Sequence, residues 1–386
     1  MINKNDIKIL FVRPDLHSTY SIRNSLAKDG IKSSIFVEWS YPDKLLFSKN
    51  GIVGYRILEN TNGLFKRINY CYSLFVFLLN IPRFNYFVYY GQLSLFPHLD
   101  LFFKKSFSWE MWLIKKVFKK KVVYYPPGCR FENLKSFFLK QDQGNVCGNC
   151  GYFDHCNDKE NQRNFNLIKK YADLNIGFGF VKTESYKQTI FKYKSIDLDL
   201  WNPYLSGSES KLIRPKNKKI KILHSNFLKS SGRANLVKNI KGTQSIIKAI
   251  DQLIAEGYAI EKVIIEDLNI NQMRFQQIKA DIVIDQLIYG HWGSTAIESM
   301  ALGKPVICYI NLDYKKTFLN AYPEYNRLPV IESNTKDIYK TLKDLLDNPH
   351  KLNHYGAMGR EFIEKHYNPD INSKILVNQL LNLNNK

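Results

Sequence analysis

The chain has 386 residues, 45% hydrophobic and 24% charged, the balance of a folded protein rather than a disordered one. That length exceeds one ordinary core and suits two domains of roughly 150 to 200 residues. Fifty-six Lys and Arg against 35 Asp and Glu leave a formal charge of +21, which favours an anionic partner: nucleic acid, a phospholipid surface or a phosphorylated substrate. A compositional bias toward lysine, spread over solvated faces, accounts for the charge equally well.

Ile7–Val12 reads as a buried first strand; it is too short, and interrupted by Lys8, to be an export signal. Ile22, Leu26 and Ala27 follow at helical spacing, then Gly30 and a strand at Ser34–Val37. The longest apolar run, Leu74–Ile81, falls far below the ~20 residues that span a bilayer. The expected location is therefore cytoplasmic, at most peripheral to an anionic membrane surface. Further strands are expected at Phe84–Tyr90, Val122–Tyr125 and Leu174–Gly177, and the lysine-rich stretch Ser206–Lys219 has linker composition.

After that linker the alternation restarts. Strands are expected at Ile220–His224, Val263–Glu266, Ile282–Asp285 and Val306–Tyr309. Helices are expected at Thr243–Ala255, Ser294–Ala301, Asp337–Leu346, His350–His366 and Ile371–Leu383. Two doubly wound α/β units in succession imply a ligand cleft between domains.

Cys147-x2-Cys150-x5-Cys156, with Cys129 upstream, is a candidate tetrahedral zinc site. Gly148 and Gly151 supply tight turns and His155 is a substitute ligand. Thiols without metal and a disulfide are the alternatives, the latter disfavoured in a reducing compartment; all three stay open. Cys71 and Cys308 read as core cysteines. The basic charge with 24 Tyr and 25 Phe also fits a single-stranded nucleic-acid binder, although no motif of that kind accompanies it and no nucleic acid is expected as partner.

The most informative segment is Ala280–Ile310: strand, glycine-punctuated turn, helix, Gly303–Pro305 turn, strand. Gly293 lets backbone approach a ligand closely, and the amides of Ser294, Thr295 and Ala296 open the helix that follows. Such an N-terminus favours a diphosphate. Glu298, one turn in, is placed to accept hydrogen bonds from a ribose diol. Thr295 and Glu298 equally spell a capping box, in which the carboxylate serves only the helix start. Spacing alone leaves both readings open.

The segment resembles the nucleotide-sugar signature of glycosyltransferase family 4. Trp292-Gly293 stands at the end of the family's glycine turn, Glu298 at its second Glu, and Met300-Ala301-Leu302-Gly303-Lys304-Pro305-Val306 completes the pattern. Gly290 stands where the family has its first Glu, which lies against the donor sugar. Ile222-Leu223-His224 with Lys241-Gly242-Thr243 resembles the opening of the family's donor domain, where an Arg and a Lys meet the diphosphate; Lys241 matches the Lys and Arg233 is the candidate Arg. A solvated surface cation is the alternative for either. Asn348-Pro349 through His366 resembles the C-terminal helices.

The resemblance implies an α/β GT-B fold, two Rossmann-like doubly wound domains facing a central cleft. Residues 1–205 would form the acceptor-binding domain, with a Cys-rich insertion at 129–156. Residues 206–219 would be the linker, 220–368 the nucleotide-sugar domain, and 369–386 a helix packing back on the first. In the acceptor half, Asp15 and His17 are candidates to orient or deprotonate a hydroxyl, against an ordinary polar turn; Gly91–Ser94 and Gly128–Arg130 sit at other strand ends. The implied activity is a retaining, metal-independent hexosyl transfer from a nucleoside diphosphate sugar to a glycan or lipid-linked acceptor of surface polysaccharides. No catalytic cofactor is implied. A GT-B protein that lost catalysis with the Glu at position 290 is the other reading.

Overall fold

The computed structural model describes residues 6–13, 15, 18–36, 63–91, 93–96, 107–125, 146–151, 156–176, 194–203, 219–226, 239–266 and 268–383. They divide into two compact units. The first takes its described residues from Met1–Leu134, Asn157–Ser195 and Tyr367–Lys386; the second takes them from Lys135–Cys156 and Ile196–His366.

In the first unit, Lys8–Val12 (β1), Lys32–Phe36 (β2), Tyr86–Tyr90 (β3), Lys121–Tyr125 (β4) and Leu174–Asn175 (β5) form a parallel sheet in the order β2-β1-β3-β4-β5. Side chains alternate between faces along each strand, and both faces are covered, so the strands read as continuous apolar runs. On one face Leu10, Val12, Phe87, Tyr89, Val122 and Tyr124 share a core with Phe77 and Phe165. Phe77 comes from Gly63–Asn80 (α2), and Phe165 from Asp158–Tyr171 (α4). Trp109–Trp112 (α3) is prolonged by a π-helical turn, Leu113–Val117, and covers the same face through Trp109 and Leu113.

On the other face Ile9, Phe11, Tyr86 and Val88 meet Ile22 and Leu26 of Ser18–Lys28 (α1) and Leu376, Val377 and Leu380 of the C-terminal helix Pro369–Asn382. Polar contacts fix that helix: Ser25 Oγ lies 2.9 Å from Ser373 Oγ, and the Tyr86 hydroxyl donates to the Leu380 carbonyl at 3.1 Å.

The second unit repeats the plan. Ile220–Ser225 (β6), Ile260–Ile265 (β7), Ile282–Ile284 (β8), Val306–Cys308 (β9) and Ile331–Glu332 (β10) pair in parallel in the order β10-β9-β8-β6-β7. Its helices are Thr243–Ala255 (α5), Ile270–Lys279 (α6), Ser294–Ala301 (α7), Leu312–Ala321 (α8), Ile338–Asp347 (α9) and His350–His366 (α10). Counted within its own unit, each sheet has the strand order 2-1-3-4-5. The order reverses between β1 and β3, and again between β6 and β8, and in open α/β sheets ligands gather where it does. The long continuous stretch of the second unit begins at Ile196, ahead of the linker composition, and Trp201 is fully buried there. Arg274 Nε donates to the Leu200 carbonyl at 2.6 Å, and Arg360 Nη1 to that of Trp201 at 2.8 Å.

Among the described residues no helix is long and apolar enough to cross a membrane. Cys308 is buried in β9, as a core cysteine should be; Cys71 is exposed on α2, contrary to the expectation that both lie in a core.

Candidate functional site

The reversal point of the second sheet holds a buried polar cluster. β6 ends at Ser225 and β8 at Ile284, so their carboxyl ends lie side by side, with Asp285 as the first residue past β8. Lys241 reaches both ends. Its Nζ donates to the Ser225 carbonyl at 2.7 Å and lies 3.6 Å from Asp285 Oδ1. The side chains are 8% and 1% exposed, which rules out a solvated surface role for Lys241. The second Asp285 oxygen accepts the Gly293 amide at 2.6 Å. One buried carboxylate therefore ties the candidate diphosphate cation to the residue that caps α7. Burial pushes the Asp285 carboxyl up, while the Lys241 ammonium and the Gly293 amide pull it back down.

The turn before α7 is pinned from several sides. Trp292 is buried in an aromatic cluster, edge-on to Tyr314, Phe318 and Phe362. Gln286 donates to the His291 carbonyl, and the Leu287 amide to the Lys241 carbonyl at 3.0 Å. Gly293 is the N-cap of α7 in extended conformation and offers no side chain to the helix start. Ser294, Thr295 and Ala296 are the first three residues of α7.

Thr295 is thus the second helical residue rather than the cap, so the capping box does not form. Glu298 is buried in the second turn, where its Oε2 accepts from Gln277 Nε2 of α6 at 2.9 Å. The bond positions the carboxylate and clamps α6 to α7.

Gly290 lies in the left-handed region at φ +94°. A Cβ there would stand 2.7 Å from Asn311 Nδ2. Asn311 is itself fixed, since its Oδ1 accepts the Tyr314 amide at 2.8 Å as the N-cap of α8. Its buried Nδ2 has no hydrogen-bond partner among the described residues. The space where the family's first Glu would begin is filled by a carboxamide.

His224, on β6 beneath Lys241, is fully buried between the Ile284 carbonyl (Nδ1, 2.9 Å) and Thr243 Oγ1 (Nε2, 2.8 Å). A carbonyl only accepts, so Nδ1 carries the proton and Nε2 accepts the hydroxyl, the neutral tautomer. Burial, reinforced by the Lys241 charge, lowers its pKa from 6.5 to about 3. Below pH 6.5 the unfolded chain takes a proton that the folded one refuses, so stability falls with acidity until about pH 3. The expected slope is up to about 1.4 kcal/mol per pH unit. Urea unfolding midpoints along a pH series check this: His224→Asn should flatten the slope, and an unchanged slope would remove His224 as its source.

In the first unit, Asp15 Oδ1 accepts both the amide and the hydroxyl of Thr19, at 2.9 and 3.1 Å, which holds the turn into α1. At the end of β3 the Gly91 carbonyl accepts the Tyr124 hydroxyl at 2.7 Å, and the Leu95 amide donates to buried Glu110 at 2.8 Å. His17, Gln92, Gly128, Cys129, Arg130, His155 and Arg233 lie outside the described residues.

The expected zinc site is not assembled among the described residues. Cys147, Cys150 and Cys156 are half-buried and belong to no group of three ligands placed to hold a metal ion, and Cys129 lies outside the description. What sequence reasoning missed is Asp285. The available signal was an acidic residue at a strand's carboxyl end, eight positions before the capping glycine.

Residues 268–362 match the model of a family described as glycosyl transferases group 1. Among solved structures, the chain is similar to sucrose-phosphate synthase from Thermosynechococcus elongatus, at 14% identity and a TM-score of 0.58, over 97% of this chain and 98% of that one. It is also similar to Anabaena HepE in complex with UDP-glucose, at 10% identity and a TM-score of 0.58, over 97% and 99%. The N-terminal domain of Candida albicans trehalose-6-phosphate phosphatase follows at 11% and 0.55, over 97% and 96%. At these identities the likeness is one of fold, GT-B with two parallel-sheet α/β domains. A comparison with curated protein sequences gives no match.

Proposed function

We propose that this GT-B chain, which carries a glycosyl transferases group 1 domain across residues 268–362, moves a sugar from a nucleoside diphosphate sugar to a glycan or lipid-linked acceptor with retention of configuration. The observation that carries the reading is the meeting of Lys241 and the N-terminus of α7 over Asp285, at the reversal point of the second sheet. A buried cation beside a helix N-terminus supports the reading, since both favour an anionic ligand.

In this reading Lys241 and Arg233 stabilise the leaving diphosphate, and the turn at Gly293 with the amides of Ser294, Thr295 and Ala296 cradles it. Glu298, steadied by Gln277, holds the ribose. The bond from the anomeric carbon to the phosphate oxygen breaks, and the acceptor oxygen bonds to the same carbon on the same face. The acceptor proton passes to a phosphate oxygen. The cations do the electrostatic work here, so the reading assigns no catalytic metal. The reading assigns Asp15 and His17 to the acceptor. The acceptors would be surface polysaccharide intermediates, met at the inner face of an anionic membrane.

One observation favours a second reading, a GT-B protein that binds donor without turning it over: Gly290 has no carboxylate and its space is taken by Asn311. Titration calorimetry with UDP, GDP and a single-stranded oligonucleotide, followed by a sugar-nucleotide hydrolysis screen, separates the cases. Diphosphate binding with hydrolysis supports transfer, and diphosphate binding without hydrolysis of any donor supports the second reading. Tight oligonucleotide binding with no response to either diphosphate overturns both.

A further inference from the structure

The helix α2 turns an apolar stripe outward. Ile68, Tyr72, Phe75 and Leu79 are 53%, 47%, 58% and 53% exposed, at successive steps of four, three and four residues that place them along one face. Elsewhere on the same helix Ser73 is buried and Phe77 packs into the core over the sheet. The α3 segment, which covers the same face of the sheet, exposes Trp112 and Val117. Single exposed apolar residues are ordinary; a stripe of this kind marks a partner.

The charges that α2 and the α3 segment themselves expose have one sign; the nearest acid, Asp173, is taken up by Lys115 and Lys121. α2 contains no acidic residue and exposes Arg67, and the turn after it exposes Arg83. The segment from Trp109 to Lys121 exposes Lys116 and Lys119. Its single acid, Glu110, is fully buried and accepts the Tyr89 hydroxyl and the Leu95 amide. Every ionised group that these elements expose is therefore basic. A two-fold contact with a second copy would set like charges against each other. A surface of anionic headgroups would neutralise them, while Tyr72 and Trp112 have the amphipathic rings that settle at headgroup level.

We infer that the outer face of α2 and α3 docks the first unit on an anionic phospholipid bilayer, with the stripe in the acyl boundary and the lysines and arginines on the phosphates. The inference rests on the lipid-linked acceptor only for its purpose; the binding is measured with neither donor nor acceptor present.

The test is co-sedimentation of the full chain with vesicles of phosphatidylcholine, and of phosphatidylcholine mixed equally with phosphatidylglycerol. Binding should require the anionic vesicles and weaken with salt. Phe75→Gln with Leu79→Gln should lower the partition coefficient by about tenfold or more, as loss of buried apolar side chains implies. Arg67→Glu with Lys116→Glu should do the same, since each basic group near the surface is worth about fivefold. Glutamine keeps the helix propensity of an exposed position, and both double variants should retain the parent's nucleoside diphosphate binding. Equal binding to neutral vesicles overturns the inference. So does parental vesicle binding by both variants, or a dimer that both variants abolish while vesicle binding persists.

Discussion

Lys241→Ala should lower sugar transfer about a hundredfold, the usual consequence of removing one group that stabilises transition-state charge. It should also lower stability by about 3–5 kcal/mol, because it strands a buried carboxylate. Asp285 is 1% exposed and faces Lys241 at 3.6 Å, and among the described residues no other cation pairs with it. Asp285 already has a raised pKa, and losing Lys241 raises it further. A carboxylate raised in the folded state contributes stability that is full below its unfolded pKa and is lost as pH rises through the folded one. The variant should therefore recover part of its stability in acid, where Asp285 is neutral.

Lys241→Met with Asp285→Asn separates the two roles. It removes both charges, so it should regain most of the stability while transfer stays low. Urea unfolding and initial rates of donor turnover read the two quantities independently. Recovery of both together would make Lys241 a structural pin without a role in transfer. Glu298→Ala should lower transfer at least about tenfold, as loss of a charged hydrogen bond to substrate does. Part of any stability change there belongs to the Gln277 bond.

The second large effect concerns position 290. Gly290→Glu restores the residue that the family signature has there, yet it should lower stability by about 2–3 kcal/mol and leave transfer no higher. The left-handed backbone costs a side chain about 1–2 kcal/mol. The new Cβ would also displace Asn311, whose cap on α8 is worth about 1 kcal/mol. Gly290→Glu with Asn311→Ser keeps a cap on a shorter side chain and should recover the steric part alone. Unfolding midpoints decide the matter: an unchanged midpoint in Gly290→Glu would mean that the turn relaxes freely. Higher transfer in that variant would instead restore the carboxylate to its family role.

The second unit was largely legible in the sequence because its elements carry clean signals. β6, β8 and β9 are buried on both faces and spell short runs of Ile, Val and Leu between turns. α5 and α7 begin and end where the pattern puts them, each opened by a glycine and closed by a turn. β7 extends three residues earlier than Val263, since Ile260 and Glu261 are pulled into the ladder by Ile220 and Lys221 of β6. α8 was missed for a different reason: LDYKKTFLNA buries Tyr314 and Phe318 alone, too few positions to show a period.

The first unit was harder, and α2 shows why. Periodicity marks a helix when apolar residues face the core and polar ones face water. Here the outward positions are Ile68, Tyr72, Phe75 and Leu79, so the pattern dissolves into one greasy run. The site was half legible. Lys241, Gly293 and Glu298 stand out by motif, but only the fold brings Asp285 to Lys241 from a distant part of the sequence.

The C-terminal helix has a consequence for the order of assembly. Leu376, Val377 and Leu380 complete the core that Ile9, Phe11 and Tyr86 begin, so one face of the first sheet lacks part of its cover until the end of the chain exists. All five strands of that sheet are synthesised before Ile196, and the whole second unit before Tyr367. On the ribosome, where domains fold roughly as they emerge, the unit that starts first is therefore the one that closes last. Until then its apolar face around Ile9 and Tyr86 waits for residues not yet made.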